Sequence, residues 1–187
     1  MILFIDACAR KESRTRRLAE HVLHRLGGDI VSVKLYDIAF PVCDEAFIEK
    51  RSTLASAGDF TDHVFDLARQ FAAADKIVIA APFWDLSFPS VLKQYIEQIC
   101  VTGLTFYYDE TGVPRGMCKA DKLYYVTTAG GTYFPEEYGY GYIKTVAQGF
   151  FSIADTVLIK AVGLDIYGAD TEKIMNDAIS QAGALTI

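Results

Sequence analysis

Apolar residues follow two arrangements along this chain. Short, nearly unbroken runs fall at Met1–Ile5, Ile30–Leu35, Lys76–Ala81, Lys122–Thr128 and Thr156–Val162. Such runs, bounded by polar or turn-forming residues, predict buried strands. Between them, apolar residues recur every three or four positions. Leu18, Val22 and Leu26 do so in Ser13–Leu26, which Gly27-Gly28 stops. Val64, Leu67, Ala68 and Phe71 mark Phe60–Ala73, and Leu92, Tyr95, Ile96 and Ile99 mark Ser90–Cys100. This spacing predicts amphipathic helices, and Tyr142–Ile153 and Thr171–Ala182 complete the set. Residues 44–58 read as a further helix on Ala46, Phe47 and Leu54, broken by Gly58. Thr105–Tyr108 and the Asp109–Gly112 turn predict a hairpin-like excursion. The resulting order, βαβαβαβαβα, requires parallel strands and right-handed crossovers. The expected fold is α/β: a three-layer sandwich around a five-stranded parallel sheet of order 2-1-3-4-5. Ligands of such sheets sit beyond the strand C-termini, at the switch point. The loops after strands 1, 3 and 4 are therefore where chemistry is expected.

Composition narrows the class. With 187 residues, 51% apolar and 22% charged, the chain reads as one domain, 1–187, able to bury roughly 70% of its unfolded surface. Its formal net charge of -6 provides no general field for nucleic acid or anionic lipid. Charges interrupt every apolar run well short of a membrane span. MILFIDACAR lacks the basic start and long apolar core of an export signal. The cysteines at 8, 43, 100 and 118 are thus expected to be reduced thiols of a cytoplasmic protein. No C-x-x-C pair and only three histidines speak against a zinc site. His21, His24 and His63 fall on predicted helices, facing solvent or other helices, and read as structural or neutral.

The three strand ends differ in chemistry. After strand 1, Asp6–Thr15 leads into a helix, whose first N–H groups and positive dipole end favour an anion. Ser13 and Thr15 add hydroxyls, and Arg10, Arg14 and Arg16 add charge. The loop has no glycine, so neither a nucleoside triphosphate loop nor a dinucleotide fingerprint fits, and a single terminal phosphate such as that of FMN fits better. The ordinary alternative is that Ser13 only caps the helix. After strand 3, Pro82-Phe83-Trp84-Asp85-Leu86 carries the single Trp. Phe83 and Trp84 suit a flat conjugated ring, or else they fill core beneath the loop. After strand 4, Thr128-Ala129-Gly130-Gly131 lets the backbone approach a planar ligand closely, or makes an ordinary turn.

Taken together, these segments resemble the FMN-dependent NADH azoreductases and NAD(P)H quinone reductases of the flavodoxin-like fold. The resemblance covers most of the chain and is strongest in IVIAAPFWDLSFPSVLKQYIEQICVTGLTFYYDETGVPRGM, Ile77–Met117. VTTAGG at Val126–Gly131 matches the family's double-glycine stretch, and Ala7–Thr15 stands in the place of its phosphate loop. The resemblance implies that Ser13, Arg14 and Thr15 hold the FMN phosphate, with Cys8 in the same loop. It implies that Pro82, Phe83, Trp84, Asp85 and Leu86 border the isoalloxazine and its dimethylbenzene edge, and that Thr128, Ala129, Gly130 and Gly131 border the pyrimidine side. It also implies NADH or NADPH as co-substrate, ping-pong reduction of quinones, azo dyes or nitroaromatics, and a homodimer. A flavodoxin-type electron carrier without NAD(P)H turnover is the alternative. No side chain is expected to act as a strict acid or base; Tyr133 is the candidate acceptor contact. Tyr138, Tyr140 and Tyr142 suit an acceptor pocket or an interface, and Phe106-Tyr107-Tyr108 a cover for the site or a partner's support. Cys8 stands where Ser is usual, Ala9 where Pro is usual, Asp85 where Asn is usual, and Ala129 where a basic or polar residue is common.

Overall fold

A computed structural model describes residues 1–183. Its main sheet is parallel throughout, in the order β2-β1-β3-β6-β7. The strands are β1 (Ile2–Asp6), β2 (Ile30–Lys34), β3 (Lys76–Ala80), β6 (Lys122–Thr128) and β7 (Asp155–Ala161). This is the predicted 2-1-3-4-5 order once the small antiparallel pair β4 (Phe106–Tyr108) and β5 (Pro114–Gly116) is set aside. That pair is the predicted excursion. Asp109 organises its turn, accepting bonds from Thr111 N, Val113 N and Arg115 Nε at 2.9, 3.0 and 2.8 Å.

The pleat of β1 shows how the layers form. Leu3 and Ile5 face a core shared with Phe71, Leu92, Tyr95 and Ile143. Ile2 and Phe4 face the opposite core, with Leu18, Val22 and Met175. Successive strand side chains point to opposite faces, so helices α3 (Asp66–Ala73), α4 (Ser90–Ile99) and α5 (Tyr140–Gly149) cover one face. Helices α1 (Arg14–Leu26) and α6 (Thr171–Gly183) cover the other. Both faces of the central strands β1, β3 and β6 are buried, which explains their near-continuous apolar runs.

Three boundaries differ from the sequence reading. Phe60–Ala73 is not one helix: a short 3-10 turn, His63–Phe65, precedes α3. Asp59 and Asp62 accept N–H bonds from Thr61 and Val64 at 3.0 and 2.9 Å, and these local bonds compete with the helical ladder. The helix expected at Tyr142–Ile153 is shifted to α5, because Ser152 takes a left-handed φ of 57° beyond its end. The weak pattern at 44–58 is α2 (Glu45–Ser56), capped by Asp44 and with no buried residue, hence its poor periodicity.

Candidate functional site

The C-terminal ends of β1, β3 and β6 open into a cleft of about 270 Å³. One wall is the turn into α1, with Cys8, Ser13, Arg14 and Thr15. The second is Pro82, Phe83 and Trp84, and the third is Thr128, Ala129 and Gly130. Ten of the thirteen residues singled out from sequence as cofactor contacts thus meet in one place. Asp85, Leu86 and Gly131 do not line it.

Ser13 is the N-cap of α1, accepting from Arg16 N at 3.3 Å. The capping role is therefore real, and it leaves the next N–H groups of α1 at the cleft. Thr15 is buried, with Oγ1 2.6 Å from Thr128 Oγ1. When Thr128 donates in this pair, the Thr15 proton is left for an anion. Arg14 reaches across to Leu164 O at 3.3 Å and to Asp165 Oδ1 at 2.8 Å. Arg16 points to the back of the loop and is absent from the cleft.

Cys8 is buried, with its sulfur 3.7 Å from Ala80 O. Burial pushes its thiol up to about 12, against a lowering hydrogen bond from Ser13. The thiol stays protonated at neutral pH and fills space at the base of the loop. At pH 8, iodoacetamide is expected to alkylate the exposed Cys43 and spare Cys8 in the native protein; mass spectrometry of the labelled peptides reads this directly. Rapid labelling of Cys8 would contradict a neutral, enclosed thiol.

The β3 loop is held rather than loose. Trp84 and Ser87 exchange both backbone bonds at 2.8 Å, which closes a two-residue turn with Asp85 at φ 49° and Leu86 at φ 67°. Both central residues lie in the left-handed region, normally the place of Asn-Gly. Leu there is strained by roughly 1–2 kcal/mol, and the surroundings hold it. Ser87 Oγ donates to Tyr138 O at 2.5 Å, and Phe83 N donates to Thr128 O at 3.0 Å. Phe83 packs on Phe134 with ring centroids 4.5 Å apart. Trp84 and Leu86 remain exposed at the mouth.

Glu12, within the first loop, escaped the sequence reading, as did two residues from outside the three loops, Leu164 and Asp165, which follow β7. The N–H groups of Gly163, Leu164 and Asp165 bond to Gly131 O, Ala129 O and Gly130 O at 3.0, 3.2 and 2.9 Å. A Cβ at Gly130 would lie 2.4 Å from Asp165 Oδ2. An alanine at 130 would therefore push the Asp165 carboxylate from its place beside Arg14. Tyr133 lies beyond this loop, 73% exposed, and does not line the cleft.

Chemically, the cleft has two distinct ends. The α1 end offers backbone N–H groups, the hydroxyls of Ser13 and Thr15 and the guanidinium groups of Arg10 and Arg14, a donor set that suits a phosphate, with the Glu12 and Asp165 carboxylates also on the lining. The β3 end offers two aromatic rings and, opposite them, a close glycine backbone, which suits the face and edge of a flat ring. A molecule with a phosphate tail and a planar head, such as FMN, fits this order of groups.

The sequence pattern of a family described as having a flavodoxin-like fold matches residues 1–185. The chain is similar to "FMN-dependent NADH:quinone oxidoreductase 2" of Clostridium acetobutylicum, 38% identical across 97% of this chain and 95% of that protein. It is 40% identical to an FMN-dependent NADH:quinone oxidoreductase of Clostridium perfringens, across 98% and 96%. Among solved structures, an azoreductase from Bacillus anthracis superposes with a TM-score of 0.81, 24% identical over 97% of this chain and 96% of that one. An FMN-dependent NADH-azoreductase of the same species, in complex with FMN, gives 0.78 at 23% identity over 97% and 95%.

Proposed function

We infer, for a chain that belongs to the flavodoxin-like family and stands among its FMN-dependent NADH:quinone oxidoreductases, that the cleft holds FMN and that the protein is an oxidoreductase of this type. The observation that carries the reading is the convergence of a phosphate-type donor set with Phe83, Trp84 and Gly130 around one cleft. FMN, when bound, supplies a ring that takes up a hydride from NADH and passes two electrons to a quinone-type acceptor.

The chain's own residues position and enclose. Ser13, Arg14, Thr15 and the start of α1 take the phosphate. Pro82, Phe83 and Trp84 border the ring on one side, and Thr128, Ala129 and Gly130 on the other. Asp85, Leu86 and Gly131 are exposed beside these walls and would border the ring from outside the cleft. Small-molecule sites span roughly 300–1,000 Å³, so a cleft of about 270 Å³ with an exposed Trp84 leaves part of such a ligand outside it. A second copy of the chain completes the site in this reading, and the exposed Tyr107, Tyr108, Val113 and Met117 of the hairpin supply apolar surface for it. Tyr133, exposed and outside the cleft lining, is in this reading the side chain that contacts the acceptor. Among the described residues no helix is long and apolar enough to cross a membrane. The four unpaired cysteines support a reducing, cytoplasmic setting.

The exposed Asp85 carboxylate is screened by water. Asp85→Asn is therefore expected to raise the flavin midpoint potential, but by no more than about 30 mV, equivalent to ~1.4 kcal/mol for a two-electron couple. A larger rise would place the carboxylate against the reduced ring.

The direct test is a visible spectrum of the protein loaded with FMN and desalted, then treated anaerobically with NADH and, separately, NADPH. Flavin bands that bleach on NADH are the expected result. Bands that neither nucleotide bleaches, with a radical on dithionite titration, would make the protein an electron carrier instead. A colourless protein would remove the cofactor assignment.

A further inference from the structure

The loop between β1 and α1 is wrapped around one guanidinium. Arg16 Nε donates to the buried Asp6 Oδ2 at 2.6 Å. Arg16 Nη2 donates to Cys8 O at 2.8 Å, and Nη1 donates to Arg10 O and Lys11 O at 2.9 and 2.7 Å. The other Asp6 oxygen accepts Cys8 N at 2.9 Å. The pair thus makes five bonds to or within residues 6–11, and the loop has no glycine to give it an intrinsic shape.

Arg16 is on the far side of the loop from the cleft: it lines two grooves behind the loop and not the cleft itself. Each loop carbonyl it holds is therefore turned to the back. In a trans peptide the C=O and the following N–H point in opposite directions. Holding the carbonyls of residues 8, 10 and 11 turns the N–H groups of Ala9, Lys11 and Glu12 away from Arg16. Carbonyl dipoles that would repel an anion are withdrawn, and donors that attract one are presented.

We propose that the Asp6–Arg16 pair is a positioning clamp that sets the phosphate selectivity of the cleft without touching the ligand. Asp6 fixes the guanidinium plane, and Arg16 fixes the peptide orientations of the loop. The planar, three-nitrogen guanidinium explains why the role falls to arginine: a lysine at 16 has one nitrogen and cannot reach the carboxylate and three carbonyls together. The inference rests on the cleft being an FMN site, and it predicts which part of FMN the clamp serves.

The test compares FMN with riboflavin, which has the same ring and ribityl chain but no phosphate. Dissociation constants are measured by quenching of flavin fluorescence for the wild type, Arg16→Met, and Asp6→Asn combined with Arg16→Met. The double variant removes the buried carboxylate that Arg16→Met alone would strand, so the comparison survives if the single variant folds poorly. FMN binding is expected to weaken at least tenfold in both, with riboflavin binding within twofold of wild type. FMN affinity unchanged in the double variant would overturn the clamp. So would equal weakening of FMN and riboflavin, the mark of general loosening of the fold. A wild type that binds FMN no better than riboflavin would overturn the clamp together with the phosphate site beneath it, whereas a failure confined to the variants would leave the FMN reading intact.

Discussion

Replacing Ser13 and Thr15 together by Ala is expected to weaken FMN binding by well over tenfold, as read by equilibrium fluorescence quenching. Hydrogen bonds to a charged group contribute roughly 1.5–3 kcal/mol each, and about 1.4 kcal/mol is a factor of ten. Loss of two hydroxyl contacts to a phosphate therefore costs more than one decade even if the surroundings partly compensate. The two positions act differently. Ser13 also caps α1, so its loss costs about 1 kcal/mol of helix stability and lets the first turn, with its N–H groups, loosen. Thr15 is buried against Thr128, so its loss leaves the Thr128 hydroxyl without its partner at the base of the cleft. Ser13→Ala alone should lower thermal stability, and Thr15→Ala should strike binding more than stability. Riboflavin affinity should barely move in the double variant. Unchanged FMN affinity would sink the assignment of this turn to the phosphate.

The sheet order and the three chemical walls of the cleft were legible in the sequence for a simple reason. Strands buried on both faces must be apolar throughout, and crossover helices must alternate with them, so Ile77–Ala80 and Leu123–Val126 stand out without any tertiary information. A two-layer cover then forces loops after neighbouring strands to the same edge. What stayed hidden came from contacts that span the chain. Asp165 follows the edge strand β7, two strands from the switch point. Nothing in its local sequence announces that residues 163–165 bond back to 129–131 and bring a carboxylate to Arg14. Arg16 shows the opposite failure. Its charge, next to Arg14, suggests an anion ligand, whereas the buried Asp6 and the loop carbonyls consume it. Residue type marked the neighbourhood of the chemistry; only the paired geometry separated the arginine at the cleft from the one behind it. The turn at Asp85-Leu86 is a third case, since two ordinary L residues conceal a left-handed pair that Ser87 and Tyr138 hold in place.

The largest expected effect on stability lies away from the cleft, at Gly116. Its φ is not in the left-handed region, and its requirement is space: a Cβ there would fall 2.1 Å from the carbonyl carbon of Phe151, 2.3 Å from its oxygen and 2.4 Å from Ser152 N. All three are backbone atoms, so no side chain can swing away. Nor can the neighbours retreat easily. Phe151 is buried and packs on Phe71 at 4.7 Å, Ser152 sits at φ 57°, and Ser152 Oγ accepts Gly116 N at 2.8 Å. Gly116→Ala must therefore push the β4–β5 hairpin off the α5–β7 connection. Overpacking usually costs about 1–3 kcal/mol, and a clash wholly against backbone belongs at or above the top of that range. Since ~1 kcal/mol moves Tm by about 2–4 °C in a domain this size, a fall of at least 6 °C is expected in a thermal melt. Gly149→Ala is the control: it lies at the end of α5 with nothing within 4 Å of the added Cβ, and it should leave Tm unchanged or slightly higher. The displaced hairpin also carries Tyr107 and Tyr108, so in the dimeric reading the same substitution should raise the dimer dissociation constant in sedimentation equilibrium. A Tm within 1 °C of the wild type would mean that the hairpin is not seated on Phe151. An altered Tm with an unchanged dimer would instead remove the hairpin from the subunit interface.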